Sequence, residues 1–233
     1  VNKPAESISA TLSSRAWHAQ IPARIGHHML LKAVGTTAFI TLFFVAYFWV
    51  LKNPLFTVTT MPLTWADRAV AFWPPALPAY LSLWFYVSIP PSLLHDRRTL
   101  KYYGIAVGVL CLVGLTCFIL WPTTIPPLLT GADTSAIALL QGMDAAGNAC
   151  PSLHVATALY SCLWLQRILT RMGAPAWVHA SNWLWSLAIT WSTLAVKQHV
   201  FVDVLGGVVL GVGGAWLALA WYDRHLARYG AQI

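Results

Sequence analysis

Two short stretches hold the residues best suited to chemistry. In STLAVKQHVFVDVLGG, residues 192–207, His199 and Asp203 are spaced i, i+4, which puts them on one face of a helix and within hydrogen-bonding reach. A carboxylate that holds one imidazole nitrogen fixes the tautomer and raises the basicity of the other, as an attacking or proton-accepting histidine requires. Lys197 adds a positive charge near the same helix start, where backbone N–H groups and the macrodipole favour an anion. In CPSLHVATALYSCLWL, residues 150–165, Ser152 and His154 stand at the doorstep of a nearly pure hydrocarbon run. An ionisable side chain at the edge of a membrane span is costly to place and is a functional candidate for that reason. Two histidines, a lysine, a serine and two helix N-termini together describe a phosphate site, and apolar surroundings make the phosphate's carrier a lipid.

Each element also has a purely structural reading. Ser152 fits a helix N-cap, and His199 with Asp203 fits a buried polar pair between helices. Zinc could use two histidines and an aspartate, but neither an H-x-x-x-H spacing nor paired cysteines support it. A haem-binding bundle would have no use for a proline–serine turn before one histidine. His95, His179 and His225 lie at helix ends and read as surface histidines. Taken together, on one side of a membrane, the two stretches favour function.

The elements that must position these residues follow from composition. Apolar residues make up 58% of the 233 and charged residues only 9%, more apolar surface than a soluble domain of this length can bury. Uncharged stretches recur at 33–51, 69–94, 102–132, 145–166, 172–196 and 204–222. Each can hold the roughly 20 apolar residues of a spanning helix. The expected fold is therefore all-α, a polytopic membrane protein with six transmembrane helices. Lys3, Arg15, Arg24, Arg97, Arg98, Lys101, Arg167, Arg171, Arg224 and Arg228 fall before the first span, in alternate loops and at the C-terminus. The other loops hold only Lys52, Arg68 and Lys197, with Asp67, Asp133, Asp144 and Asp203. That asymmetry predicts both termini in the cytoplasm and an external site. The +7 formal charge then reflects topology and contact with membrane lipids, not a nucleic-acid footprint.

Residues 1–28 read as an N-terminal cytoplasmic segment, interfacial helix or disordered tail, and 29–233 as one six-helix catalytic domain. The loop at 121–151 is the longest external one, and its Pro, Gly, Asp and Asn content makes it irregular. Cys111, Cys117, Cys150 and Cys162 are not spaced for bridging along a helix and read as small buried side chains.

The chain resembles the type 2 phosphatidic acid phosphatase superfamily, whose members are six-helix integral membrane enzymes. That family's second motif, Pro-Ser-Gly-His, appears as Pro151-Ser152-Leu153-His154. Its third, Ser-Arg, five residues, His, three residues, Asp, appears as Ser192-Thr193 followed at the right interval by His199 and Asp203. Three departures are informative. Leu153 replaces the glycine, and Thr193 replaces the arginine. The first motif, Lys, six residues, Arg-Pro, has no match, since WPTTIPP at 121–127 occupies its place without a cation. This version is similar to the branch that includes inositol phosphorylceramide synthases, which move a head group between lipids.

The resemblance implies a metal-independent lipid phosphatase or phosphotransferase with no cofactor. His199, oriented by Asp203, would attack phosphorus and form a phosphohistidine; His154 would protonate the leaving oxygen and then activate the acceptor. Ser152, Lys197 and Ser192 would hold the phosphate oxygens. The expected partner is a phosphorylated lipid, with no obligate protein partner, and the expected location is a membrane, a bacterial inner membrane first, with the site facing the periplasm or lumen.

Overall fold

The computed structural model describes residues 16–127, 147–230 and 233. Lys3, Arg15, Asp133, Asp144, most of the expected 1–28 segment and the middle of the 121–151 loop lie outside the described residues.

A 3-10 turn at Trp17–Gln20 leads into α1 (Ile21–Gly26), and α2 follows as Met29–Lys52. After β1 (Thr59–Thr60) come the short α3 (Trp65–Ala69), α4 (Leu77–Leu81), α5 (Leu83–Tyr86) and α6 (Ile89–Leu93). Then follow α7 (Arg97–Leu120), β2 (Thr123–Thr124), α8 (Leu153–Met172), α9 (Ala176–Ala195) and α10 (Phe201–His225). The fold is thus mostly helical, with one exception to the all-α expectation: β1 and β2 pair in parallel, Thr59 with Thr123 and Thr60 with Thr124.

Local signals account for the boundaries. Asp96 caps α7 by accepting the Thr99 N–H at 2.8 Å. Gly173, at φ 73°, closes α8 in the left-handed conformation. The uncharged stretch at 69–94 does not form one helix. Proline lacks the N–H that continues a helix, and Pro78, Pro90 and Pro91 fall in the first turns of separate short segments. Elsewhere the helix is shifted from the uncharged stretch: α7 begins at Arg97, before 102, and ends at Leu120, well short of 132. Long basic side chains can carry their charge out of an apolar layer, so charged residues do not end a helix there.

Among the described residues three helices, α2, α7 and α10, are long and apolar enough to cross a membrane. Helices α8 and α9, with 20 residues each, are not among them. For α8 the reason is its position. It packs against α5, α6, α7, α9 and α10, and Tyr160, Cys162, Trp164 and Ile168 on it are fully or almost fully buried. A helix that faces protein rather than lipid can carry polar groups that find partners. Tyr86 on α5 donates to Asn182 Oδ1 of α9 at 2.6 Å, and Asn182 Nδ2 donates to the Cys162 carbonyl of α8 at 3.1 Å. The outer surface is apolar, with Leu30, Leu42, Val45, Ile105, Leu112, Val209 and Leu217 exposed, as lipid-facing helices require. All four cysteines are free thiols.

The bundle has two chemically distinct ends. At one, the segments 53–76, 121–127, 147–152 and 196–200 meet. Asn148 Nδ2 donates to the Tyr47 carbonyl, Cys150 N–H to Thr123 Oγ1, and Trp73 N–H to the Ala195 carbonyl. At the other, Arg24 Nη1 donates to the Leu93 carbonyl at 3.2 Å, Gln20 to the Met172 carbonyl, and Arg167 pairs with Asp223. Arg97, Arg98, Lys101, Arg171 and Arg224 belong to this second, basic end. Exposed tryptophans ring both ends, Trp49, Trp65, Trp73, Trp121 and Trp191 at the first, Trp177 and Trp221 at the second.

The two helices that carry the sequence motifs, α8 and α10, touch backbone to backbone. A Cβ on Gly207 would lie 2.5 Å from the Ser152 carbonyl oxygen, and one on Gly211 would lie 2.4 Å from that of Ala156. The small-x-x-x-small spacing at 207 and 211 therefore sets how closely the two motif helices approach.

Candidate active site

Residues 196–200 form a tight reversal between α9 and α10. Val196 N–H donates to the Ser192 carbonyl at 2.9 Å, and the N–H groups of Gln198 and His199 both donate to the Thr193 carbonyl, at 3.1 and 3.2 Å. Lys197 turns the chain at φ 59°. Helix α10 starts at Phe201 with Val200 as N-cap. This corrects the expected shared helix face: His199 lies two residues before the helix and meets Asp203 across its first turn. Asp203 is fully buried, and His199 is 8% exposed. His199 Nδ1 lies 3.6 Å from Asp203 Oδ2, an ion-pair distance rather than a hydrogen bond. The same oxygen accepts the Val200 N–H at 3.0 Å. His199 Nδ1 and Asp203 Oδ1 have no hydrogen-bond partner among the described residues.

Ser152 is the N-cap of α8, its hydroxyl oxygen accepting the Val155 N–H at 3.3 Å. Its own N–H donates to the Asp203 carbonyl at 3.0 Å. That bond joins the starts of α8 and α10, so the two motifs form one unit. His154, in the first turn of α8, stacks on Tyr80 with ring centroids 4.1 Å apart and planes at 15°, and Trp84 meets the imidazole edge-on. His154 Nε2 is buried with no partner among the described residues.

Both imidazoles line one apolar cleft of about 860 Å³ between α2, α7 and the α4–α6 run. His154, His199 and Asn148 stand at one end, and Lys32 and Lys101 at the other. Its wall on α2 runs from Leu31 to Phe48, about 25 Å at 1.5 Å per residue. A hydrocarbon chain fits such a cleft by length and by chemistry.

The three residues expected to hold phosphate are otherwise engaged. Lys197 Nζ donates to the Asp67 carbonyl at 3.0 Å and to the Val70 carbonyl. Burial lowers the pKa of this ammonium, and the Asp67 carboxylate partly offsets the effect. Ser192 Oγ donates to the Ile189 carbonyl at 2.6 Å. Ser152 Oγ serves as a cap but keeps its own proton to donate. Thr193, in the place of the motif arginine, is fully buried and donates to the Thr190 carbonyl at 2.8 Å. Among the described residues no three His, Cys, Asp or Glu side chains converge as metal ligands.

Three contributors escape a reading of the sequence. Tyr80 and Trp84 hold His154, and aromatic residues are too common in this chain to stand out. Asp67 is buried and binds the start of α10, its Oδ1 accepting the Phe201 N–H at 2.7 Å. Thr64 and Asp67 form a capping box, and the T-x-x-D spacing after Pro62 was the available signal.

The sequence profile of the PAP2 superfamily matches residues 102–227. An inositol phosphorylceramide synthase of Candida albicans is 26% identical over 187 residues, which cover 70% of this chain and 37% of that protein. The chain thus corresponds to little more than a third of that relative's length. No solved structure matches the chain.

Proposed function

Since the chain belongs to the PAP2 superfamily, a family of lipid phosphatases and phosphotransferases, we propose that it is a metal-independent membrane lipid phosphatase acting through a phosphohistidine. The observation that carries this reading is the pair of imidazoles on one apolar cleft, His199 backed by a buried carboxylate and His154 presenting an unpartnered Nε2. With Nδ1 facing Asp203, Nε2 of His199 is the attacking nitrogen. A P–N bond forms as the P–O bond to the lipid breaks, and protonated His154 gives its proton to the departing lipid oxygen. His154, now neutral, takes a proton from water, whose oxygen attacks phosphorus and releases His199. The Asp203 carboxylate stabilises the positive charge on His199 during transfer. Ser152 is fully buried off the cleft wall, so its hydroxyl would reach a phosphate oxygen only after a local shift, and Ser192 and Lys197 would first have to leave their carbonyls.

The proposal extends to six spans, with the α4–α6 run, α8 and α9 joining α2, α7 and α10. The basic end, with both termini, would face the cytoplasm of a bacterial inner membrane, and the histidines the periplasm. The substrate's chain would lie in the cleft, with its phosphate at the histidine end.

A second reading, transfer of a phospho-head-group to a lipid or alcohol, is favoured by the charge of the histidine end. Among the described residues it holds the basic side chains Lys52, Arg68 and Lys197, with Asp67 and Asp203 beside them. Residues 128–146 contain no lysine or arginine. A phosphodiester, with one negative charge, tolerates so few cations better than a phosphomonoester with nearly two.

Alkaline quench of the purified protein with a phosphorus-labelled lipid, followed by mapping of the label, tests both readings. Label on His199 with free phosphate as product supports hydrolysis, and label recovered in a second lipid supports transfer. A catalytically active protein that never carries label on histidine would defeat the mechanism. EDTA is expected to leave the rate unchanged; loss of activity restored by a divalent cation would show metal dependence. Asp203→Asn should keep substrate binding and lower turnover by about 10²–10⁴-fold, since an amide cannot stabilise the imidazolium. A loss confined to substrate affinity would instead make Asp203 a structural residue.

A further inference from the structure

The His199 turn is gripped from both flanks by residues 64–73, and the grip centres on Asp67. Oδ1 of Asp67 accepts the Phe201 N–H at 2.7 Å, two residues after His199. Its Oδ2 accepts both the N–H and the hydroxyl of Thr64, each at 2.7 Å. Its backbone carbonyl accepts the ammonium of Lys197 at 3.0 Å, two residues before His199, and the Val70 carbonyl accepts the same ammonium. Trp73 N–H extends the grip to the Ala195 carbonyl at 2.8 Å.

The turn needs such support. Lys197 adopts a left-handed conformation, φ 59°, which a side chain with a Cβ enters reluctantly. The first N–H groups of α10 are taken by the protein's own carboxylates, Val200 by Asp203 and Phe201 by Asp67. Two negative groups therefore already occupy the positive end of the helix dipole, the place that the sequence suggested for substrate phosphate. Asp67 is 7% exposed and is not among the residues lining the cleft, so it acts through the chain rather than on a ligand.

We propose that Asp67, with Lys197 as its counterpart, is a positioning residue that clamps the 196–200 turn and so holds His199 in register with Asp203 and His154. The inference rests on His199 as the nucleophile for its kinetic consequence, but not for the clamp itself.

The test is Asp67→Asn in the full-length protein, with folding checked by thermal unfolding in detergent. Turnover is expected to fall about 10–100-fold with KM nearly unchanged, as for misplacement of a reacting group. Asp67→Glu should recover part of the loss. In an Asp203→Asn background the further loss should be small, because both residues act on the placement of one imidazole. Amide hydrogen exchange over residues 196–204 should accelerate in Asp67→Asn whether or not the protein turns over. Unchanged exchange in that stretch would overturn the clamp. Faster exchange with inactive Asp67→Asn but fully active His199→Ala would uphold the clamp and sink the nucleophile assignment. Full additivity with Asp203→Asn, or a loss carried by KM, would refute the positioning role. Should Asp67→Asn fail to fold, Lys197→Met must show the same faster exchange and reduced turnover, and a normal result would overturn the proposal.

Discussion

His199→Ala is expected to lower turnover by at least about 10³-fold while the protein stays folded. The imidazole is supplied by a turn whose fold depends on backbone hydrogen bonds at Gln198, His199 and Phe201, none of which involves the His199 ring. Removing that ring takes away the attacking nitrogen and leaves the bonds of the turn in place. His154→Ala should be comparably damaging with an ordinary lipid ester, for a different reason. Without a proton donor the lipid oxygen must leave as an alkoxide. The two variants can therefore be told apart by the leaving group. With a nitrophenyl phosphate ester, whose oxygen needs no proton to depart, His154→Ala should regain much of the first-step rate, and His199→Ala none. Equal recovery in both would mean that the two histidines do not have separate roles. Retention of activity within about tenfold of wild type in either variant would remove that residue from the mechanism.

How much of this arrangement could be read from the chain depends on the physical range of each interaction. The motifs P-S-L-H and H-x-x-x-D are local, and the structure brings them together at one end of the bundle, joined by the Ser152–Asp203 backbone bond. The apolar periods marked α2, α7 and α10 for the same reason: spanning length and hydropathy belong to one segment. Hydropathy alone does not show that the 69–94 stretch divides into α4, α5 and α6, because it is blind to the hydrogen bonds that its prolines remove. The engagement of Lys197 was not legible, because its charge is visible in the sequence while its partners, carbonyls of Asp67 and Val70, are about 130 residues away in the chain. Asp67 and the Tyr80 stack on His154 are long-range for the same reason and left only weak marks, a T-x-x-D spacing and one aromatic among many. The glycines at 207 and 211 were readable in principle, since their spacing is that of a close helix contact, but nothing local names the partner helix.

Gly211→Leu is expected to have the largest structural effect of any single substitution here. The Gly211 Cβ position already lies 2.4 Å from the Ala156 carbonyl oxygen and 2.8 Å from the Ala156 Cα. Both are backbone atoms of a central helix, so no side-chain rotation can relieve the clash. Either α8 and α10 separate or the side chain is accommodated by distorting one of them. Overpacking a well-filled interior costs about 1–3 kcal/mol, and more where backbone must move. Separation would also break the Ser152–Asp203 bond and pull His154 away from His199, so activity should be lost even in molecules that remain folded. Gly213 supplies the control, since a Cβ there meets nothing within 4 Å on the other side of the same helix. Gly213→Ala should unfold at or slightly above the wild-type temperature, because alanine favours the helix by up to about 1 kcal/mol. Thermal unfolding in detergent, read beside turnover, decides the matter. A Gly211→Leu protein with wild-type stability and turnover would show that α8 and α10 do not meet at this glycine. The unit formed by the two motifs would then have to be held together in another way.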